Sequence, residues 1–264
     1  MKSLDELNLP GLLGELAESK NGLVLVVGAT GSGKSTTLAA MIDHRNSTKS
    51  GHILTLEDPI EFLHAHKKSV VNQREVGHDT ESYISGLRSA LRETPSMLLI
   101  GEIRDRVTMQ EALNFSATGH LVLSTLHATN ASRAIEHIFS FFDTTELTSI
   151  RYKLSATLKA IIVQRLIPSK DGKLAVALEI LLNSPRIKDL ISKGEVDQLT
   201  SSIEASTAQG MKVFDQSLHK LFKDGVIEAD VALQYADHPT DLRLKMRSEG
   251  EQKKNKIIEL DDEE

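Results

Sequence analysis

Short, mostly apolar runs recur along the chain and are separated by longer segments in which apolar residues have helical spacing. The runs lie at residues 23–27, 53–56, 97–100, 121–125, 161–167 and 174–181, and a shorter one begins at residue 70. Runs of this length are typical of strands buried in a parallel sheet. Helices are predicted at residues 4–20, 35–45, 80–92, 105–117, 130–142 and 145–159. The alternation predicts an α/β fold with a mainly parallel sheet.

The remainder of the chain has a different pattern. Residues 185–247 are helical in short pieces, and residues 249–264 have seven acidic residues, three lysines and few core-forming residues. We expect an N-terminal helix and linker over 1–20, an α/β core over 21–183, a helical subdomain over 184–248 and an acidic disordered tail over 249–264. Thr80 is the predicted N-cap of its helix.

Composition narrows the function classes. The chain has 264 residues and a net charge of −6, of which the last sixteen residues contribute −4. The nearly neutral body argues against a broad nucleic-acid surface. The absence of cysteine excludes disulfides, thiolate metal sites and cysteine nucleophiles. With no signal peptide and no apolar run of about 20 residues, a cytoplasmic protein is predicted.

A glycine-rich segment follows the first apolar run. Residues 28–35 fit the pattern G-x-x-x-x-G-K-S between a strand and a helix, which is typical of a phosphate-binding loop. Lys34 would contact the β- and γ-phosphates of ATP, and the hydroxyl of Ser35 would bind Mg²⁺. We expect the nucleotide to be bound by Gly28, Thr30, Gly31, Ser32, Gly33, Lys34, Ser35 and Thr36.

Acidic residues end two other predicted strands. Glu102 follows the apolar run 97–100, at the position of a carboxylate that orients the attacking water or takes its proton and contributes to a Mg²⁺ site. Glu57, Asp58 and Glu61 follow the run 53–56. From the residues alone, this second cluster is either part of a site or a solvated turn.

Histidine and arginine supply further candidates. His127 lies just after the run that begins after His120, so it is predicted at the same sheet edge as Glu57 and Glu102, with either a structural or a phosphate-sensing role. Arg88 and Arg92 lie one helical turn apart and could stabilise charge on a transferred phosphoryl group. The alternative for each arginine is a solvated helix face.

Four ordered segments resemble the type IV pilus retraction ATPases, the PilT/PilU family of the secretion-ATPase superfamily. Residues 22–38 resemble the Walker A segment of that family, 53–62 its Asp box, 99–105 its Walker B segment and 118–127 its His box. The resemblance extends over about residues 7–247. It implies a RecA-like P-loop core and makes Glu57, Asp58 and His127 expected site residues.

The resemblance also implies a biological role. Family members are expected to form hexameric rings that hydrolyse ATP between subunits and power pilus retraction in twitching motility. The expected location is the cytoplasmic face of the inner membrane, beside a pilus platform protein and without nucleic acid. A neighbouring subunit is expected to complete each ATP site.

Some positions depart from the family pattern. Ser96 stands where an acid is usual, and residues 185–191 and 194–196 are closer to PilU-type members, which implies an accessory motor acting with a PilT-like partner. Family members carry a PAS-like domain before the motor segments, which here begin at about Leu7, so we expect its ring contacts to be missing from this chain.

Three other functions stay open. An extension or secretion ATPase of the same superfamily is disfavoured because such proteins often hold a zinc module built on cysteines. A RecA-like nucleic-acid translocase is disfavoured by the charge and by the scarcity of stacking aromatics. A non-catalytic module that joins rings of a paralogue is the third.

Overall fold

A seven-stranded sheet organises the part of the chain that the computed structural model describes, residues 1–248. The strands are β1 (Gly22–Val27), β2 (Gly51–Glu57), β3 (Ser69–Glu75), β4 (Met97–Ile100), β5 (Leu121–Leu126), β6 (Leu158–Pro168) and β7 (Leu174–Leu182). Their spatial order is β3-β2-β4-β5-β1-β6-β7, and the neighbours from β3 through β6 are parallel. The predicted α/β class with a mainly parallel sheet is confirmed.

Helices connect and cover the strands. They are α1 (Leu12–Ala17), α2 (Lys34–Thr48), α3 (Tyr83–Glu93), α4 (Arg106–Ala117), α5 (Ala131–Ser140), α6 (Leu147–Thr157), α7 (Pro185–Lys193), α8 (Leu199–Glu204), α9 (Phe214–Lys223) and α10 (Ala229–Tyr235). The first predicted helix is shorter than expected, since α1 begins only after Pro10. The predicted N-cap Thr80 is wrong, because the Ser82 hydroxyl accepts from the Ser85 N–H at the start of α3.

The register of the parallel strands determines which loops share an edge. Val27 of β1 pairs with Leu126 of β5, and Ile100 of β4 pairs with Ser124 of β5. Leu56 of β2 pairs in turn with Ile100. The loops that follow β1, β2, β4 and β5 therefore begin side by side at the carboxyl edge of the sheet, where ligands bind in open α/β folds.

The chain divides into two compact units. The first comprises Met1–Arg165 and Glu179–Lys212, and the second comprises Leu166–Leu178 and the described residues from Val213 onward. The second unit has its own apolar core, formed by Ile167, Ala177, Phe214, Leu218, Ile227, Ala232 and Leu242. The four parts expected from the sequence stay a prediction, and the acidic tail over 249–264 lies outside the described residues.

Helix length and polarity bear on the question of a membrane span. Across residues 1–248, no helix combines the length and the apolar character needed to cross a bilayer.

Candidate functional site

The loop between β1 and α2 has a backbone path that requires glycine. Gly28 has φ +154°, and a Cβ there would lie 2.5 Å from the Gln164 carbonyl oxygen and 2.5 Å from Ser32 Oγ. Gly33 has φ +86°, in the left-handed region, immediately before the helix starts. The sequence pattern predicted this loop, and the structure shows why side chains are disfavoured at two of its glycines.

Lys34 is a buried cation at the first residue of α2. Its Nζ donates to the carbonyl oxygens of Gly28 and Ala29, both at 2.9 Å. Burial lowers the pKa of Lys34, and the nearby carboxylates of Glu102 and Glu61 oppose that effect. A helix N-terminus already carries partial positive charge, so a lysine there favours an anion between them.

Hydroxyl groups complete the loop. Ser32 is buried, and its Oγ has no hydrogen-bond partner within residues 1–248. Ser35 Oγ donates to Glu61 Oε1 at 3.0 Å. Thr30 and Gly31 are exposed at the tip of the loop, and Thr36 is half-buried in the first turn of α2. An orphaned buried hydroxyl beside a lysine fits a phosphate, and the hydroxyl–carboxylate pair offers the oxygen ligands that Mg²⁺ prefers.

Glu102 lies where β4 ends and is held by two neighbours. Its Oε1 lies 2.7 Å from His127 Nε2, and its Oε2 accepts from Arg104 Nε at 2.5 Å. The Glu102 side chain is 15% exposed, which leaves one face open toward solvent. The structure thus brings Glu102 and His127 together, as the strand ends predicted.

The members of the acidic cluster after β2 have different surroundings. Glu57 Oε1 accepts from Thr55 Oγ1 at 2.7 Å and from Gln73 Nε2 at 3.3 Å, and burial raises the pKa of Glu57. Asp58 is exposed. Glu61 is the member that contacts the phosphate-binding loop, through Ser35. From the sequence, Glu61 was recognised as a member of the cluster but was not predicted as a site residue.

The two predicted arginines lie elsewhere. Arg88 and Arg92 are exposed on α3, and within residues 1–248 no hydrogen bond or ion pair joins either of them to the loop or to Glu102. Arg104 instead forms an ion pair with Glu102. A role for Arg88 and Arg92 stays a prediction.

Three polar residues near the site were missed by sequence reasoning. Gln164, on β6, hydrogen-bonds to the phosphate-binding loop. Glu179, which is 5% exposed, accepts from the Ala131 N–H at 2.7 Å, and Arg165 donates to the Thr129 carbonyl at 3.1 Å. Glu179 and Arg165 thus both bind the segment that follows His127. Each of the three is a polar residue inside an otherwise apolar run, and this is the sequence signal that could have identified it.

The chain matches known proteins over most of its length. Residues 6–220 match the family described as Type II/IV secretion system protein. The type IV pilus ATPase PilU of Pseudomonas aeruginosa is 49% identical over 246 residues, which cover 93% of this chain and 64% of that protein. The retraction ATPase PilT of the same organism is 44% identical over 237 residues, covering 90% of this chain and 69% of that protein.

A solved structure has the same fold. The crystal structure of the pilus retraction motor PilT with bound ADP has a TM-score of 0.86 and 43% sequence identity, over 92% of this chain and 69% of that one. The chain therefore spans slightly more than two thirds of the PilT structure and slightly less than two thirds of PilU.

Proposed function

Because the chain belongs to the Type II/IV secretion system protein family, we propose that it hydrolyses ATP as a motor that retracts a type IV pilus. The observation that carries the proposal is the convergence of Lys34, Glu102 and His127 at one sheet edge. Relatives named as a pilus ATPase and a retraction ATPase support it over nearly the whole chain.

The geometry suggests a division of labour for hydrolysis. The ATP phosphates would be bound by the N–H groups of residues 28–36 and by Lys34, which would exchange its bonds to the loop carbonyls for the phosphate oxygens. Glu102 would orient the attacking water and accept its proton. His127 contacts Oε1 of Glu102 and would hold that carboxylate in position.

A magnesium ion fits the oxygen donors present. Ser35 and Glu102 would hold it, with Glu61 as an additional carboxylate already bonded to Ser35. When bound, Mg²⁺ supplies positive charge that neutralises the phosphate oxygens during transfer.

The assembly belongs to the proposal as well. The identity of 49% to PilU against 44% to PilT supports an accessory retraction motor that acts with a PilT-like partner. We expect a hexameric ring on the cytoplasmic face of the inner membrane, beside a platform protein. The exposure of Arg88 and Arg92 on α3 makes them available to the ATP site of a neighbouring subunit.

The test of catalysis is the variant Glu102→Gln, which keeps the shape of the side chain and removes the proton acceptor. We expect ATP turnover to fall by at least about 100-fold while ADP still binds. Glu111→Gln on α4 is the matched control and should keep wild-type turnover. Equal turnover in the two variants would overturn the assignment of Glu102. Assays with and without a PilT-like partner should accompany these measurements.

The test of the motor role uses cells. A deletion strain that is hyperpiliated and does not twitch would support retraction. A strain without pili would favour the extension alternative instead. ATPase activity that is stimulated by DNA and weakened by salt would favour a translocase.

A further inference from the structure

Gln164 contacts the phosphate-binding loop from the neighbouring strand. It lies on β6, one residue beyond Val163, which pairs with Val27 at the end of β1. Its side chain is buried, with 2% exposure for the residue. A buried carboxamide is costly unless its donor and acceptor both have partners, so its contacts indicate what it does there.

The Gln164 amide makes one bond with each of its two ends. Its Nε2 donates to the Ser32 carbonyl at 2.7 Å, and its Oε1 accepts from Thr37 Oγ1 at 2.7 Å. The Ser32 carbonyl can only accept, which determines that the NH₂ group points toward it. The hydroxyl of Thr37 then has to be the donor of the second bond.

These bonds reach both sides of Gly33, the glycine that immediately precedes α2. Ser32 precedes Gly33, and Thr37 lies in the first turn of the helix. A third contact comes from the Gln164 backbone, whose carbonyl oxygen occupies the space that a Cβ at Gly28 would need. One residue of β6 therefore contacts the loop at its beginning, near its end and in the helix that follows.

We propose that Gln164 is a positioning residue that holds the loop backbone in the shape that binds phosphate. The inference rests on the proposed function, since it assigns a task within the same nucleotide site. It follows from the bonding that Ser32 and Thr37 cannot move independently while the carboxamide bridges them. Without the bridge, the N–H groups of the loop would have to be ordered when nucleotide binds, which weakens binding.

The direct test compares Gln164→Met with Thr37→Val. Methionine has a similar size and neither a donor nor an acceptor of comparable strength, and valine removes only the hydroxyl of Thr37. We expect each variant to raise the Kd for ADP about tenfold, equivalent to about 1.4 kcal/mol. The double variant should bind ADP no more weakly than either single one, because both changes remove the same bridge.

Two controls separate positioning from stability. Thr37→Ser keeps the hydroxyl and should restore ADP affinity to within about twofold of wild type, which a loss of packing alone would not do. Ile162→Val perturbs the same buried strand without touching the loop and should leave the Kd unchanged. Thermal unfolding of every variant, measured without nucleotide, identifies variants that fail to fold.

ADP binding also keeps this inference distinct from the proposed function. Wild-type binding of ADP without ATP turnover would contradict the motor and leave the positioning role testable by affinity. Unchanged ADP affinity in folded Gln164→Met would overturn the positioning role and leave the motor standing. Additive losses in the double variant would show that Gln164 and Thr37 act separately. A wild-type protein that binds no ADP would overturn both proposals.

Discussion

Helix α2 has one end at each edge of the sheet, and each end holds a buried cation. Lys34 is its first residue, and Arg45 lies in its last turn. Burial lowers the pKa of both side chains. Lys34 bonds to two successive carbonyls of its own loop. Arg45 instead donates to the carbonyls of Ala17 and Ser19, and more weakly to that of Ser96.

The helix dipole explains why the two cations have different meanings. A cation at the C-terminal end of a helix is stabilised, whereas one at the N-terminal end is placed against partial positive charge. Arg45 is thus accounted for by stability, since it connects two segments, residues 17–19 and the residue Ser96, to the end of α2. Lys34 is not, and its charge at the positive end of the helix dipole favours an anion at this position.

Strand β5 repeats the contrast with histidines. His127 follows its carboxyl end, has a side chain that is 46% exposed and contacts Glu102. His120 precedes the strand, hydrogen-bonds to Thr118 and to the Phe115 carbonyl, and makes an edge-on contact with the Phe115 ring. At the carboxyl edge of the sheet, polar side chains are accessible to a ligand. At the opposite edge, where the strands begin (the amino edge), polar side chains connect neighbouring segments.

The largest expected effect comes from Lys34→Met. ATP turnover should fall by at least about 100-fold, because the buried charge that would face the phosphates is removed. The free energy of unfolding should change little, since removing a desolvated cation from a helix N-terminus offsets the loss of its bonds to two loop carbonyls. Turnover assays and urea unfolding of the same preparation check both parts. A variant that unfolds far more easily than wild type would contradict the contrast between the two ends of α2.

Arg45→Met should affect stability and spare the site. We expect the free energy of unfolding to fall by about 2 kcal/mol, because interior carbonyls lose a charged donor. Lys49→Met is the matched control: its ion pair with Glu18 is largely exposed to solvent, so its loss should change the free energy of unfolding much less than Arg45→Met. Urea unfolding measures the difference, and ADP affinity of the folded protein checks the site. A loss of ADP affinity as large as in Lys34→Met would show that the edges are not separate.

Much of the carboxyl edge could be predicted from the sequence. The apolar runs determined the strands, and strand ends are where Glu102 and His127 were expected. Each of those predictions used residues that are close in sequence or share a position relative to a strand. These positions can be predicted to form one site because the carboxyl ends of parallel strands lie together in the folded sheet.

The remaining contacts depend on pairs that are distant in sequence. Gln164 is 132 residues from Ser32, and Arg45 is 51 residues from Ser96. A glutamine in an apolar run or an arginine in a helix does not indicate its partner until the chain has folded. The misplaced N-cap at Thr80 has a local cause, since Thr80 and Ser82 both precede α3 and both contact Ser85, but it is the Ser82 hydroxyl that accepts from the Ser85 N–H.

Substitution of the two histidines that flank β5 should have effects of intermediate size. His127→Asn should lower kcat about tenfold without changing stability, because it removes a group that orients Glu102 and leaves the proton acceptor in place. His120→Ala should lower the free energy of unfolding by about 1 kcal/mol, through lost hydrogen bonds and ring packing. Turnover assays and urea unfolding compare the pair. The reverse result, with His127→Asn less stable and fully active, would remove His127 from the site.

The smallest expected effect tests the acidic cluster through pH. Burial raises the pKa of Glu57 above its ordinary value of 4.5. As pH rises from that value, the unfolded chain releases this proton first, so stability falls until the folded carboxyl also ionises and is constant above. Glu57→Gln keeps an acceptor for the Thr55 hydroxyl and removes the ionisation. It should therefore be more stable than wild type at pH 8, by less than about 1 kcal/mol because solvent screens the half-buried group.

The pH dependence of that difference distinguishes its cause. Urea unfolding at several pH values should show the advantage of Glu57→Gln shrinking as pH falls toward 4.5, where the carboxyl is increasingly protonated in both states. Glu111→Gln, which changes a carboxylate on α4, is the control for the loss of one negative charge. An advantage that did not change with pH would assign the effect to hydrogen bonding with Thr55 and Gln73. In that case ionisation of Glu57 would play no part in the difference, and the residue would act through its hydrogen bonds, like the polar groups of the amino edge.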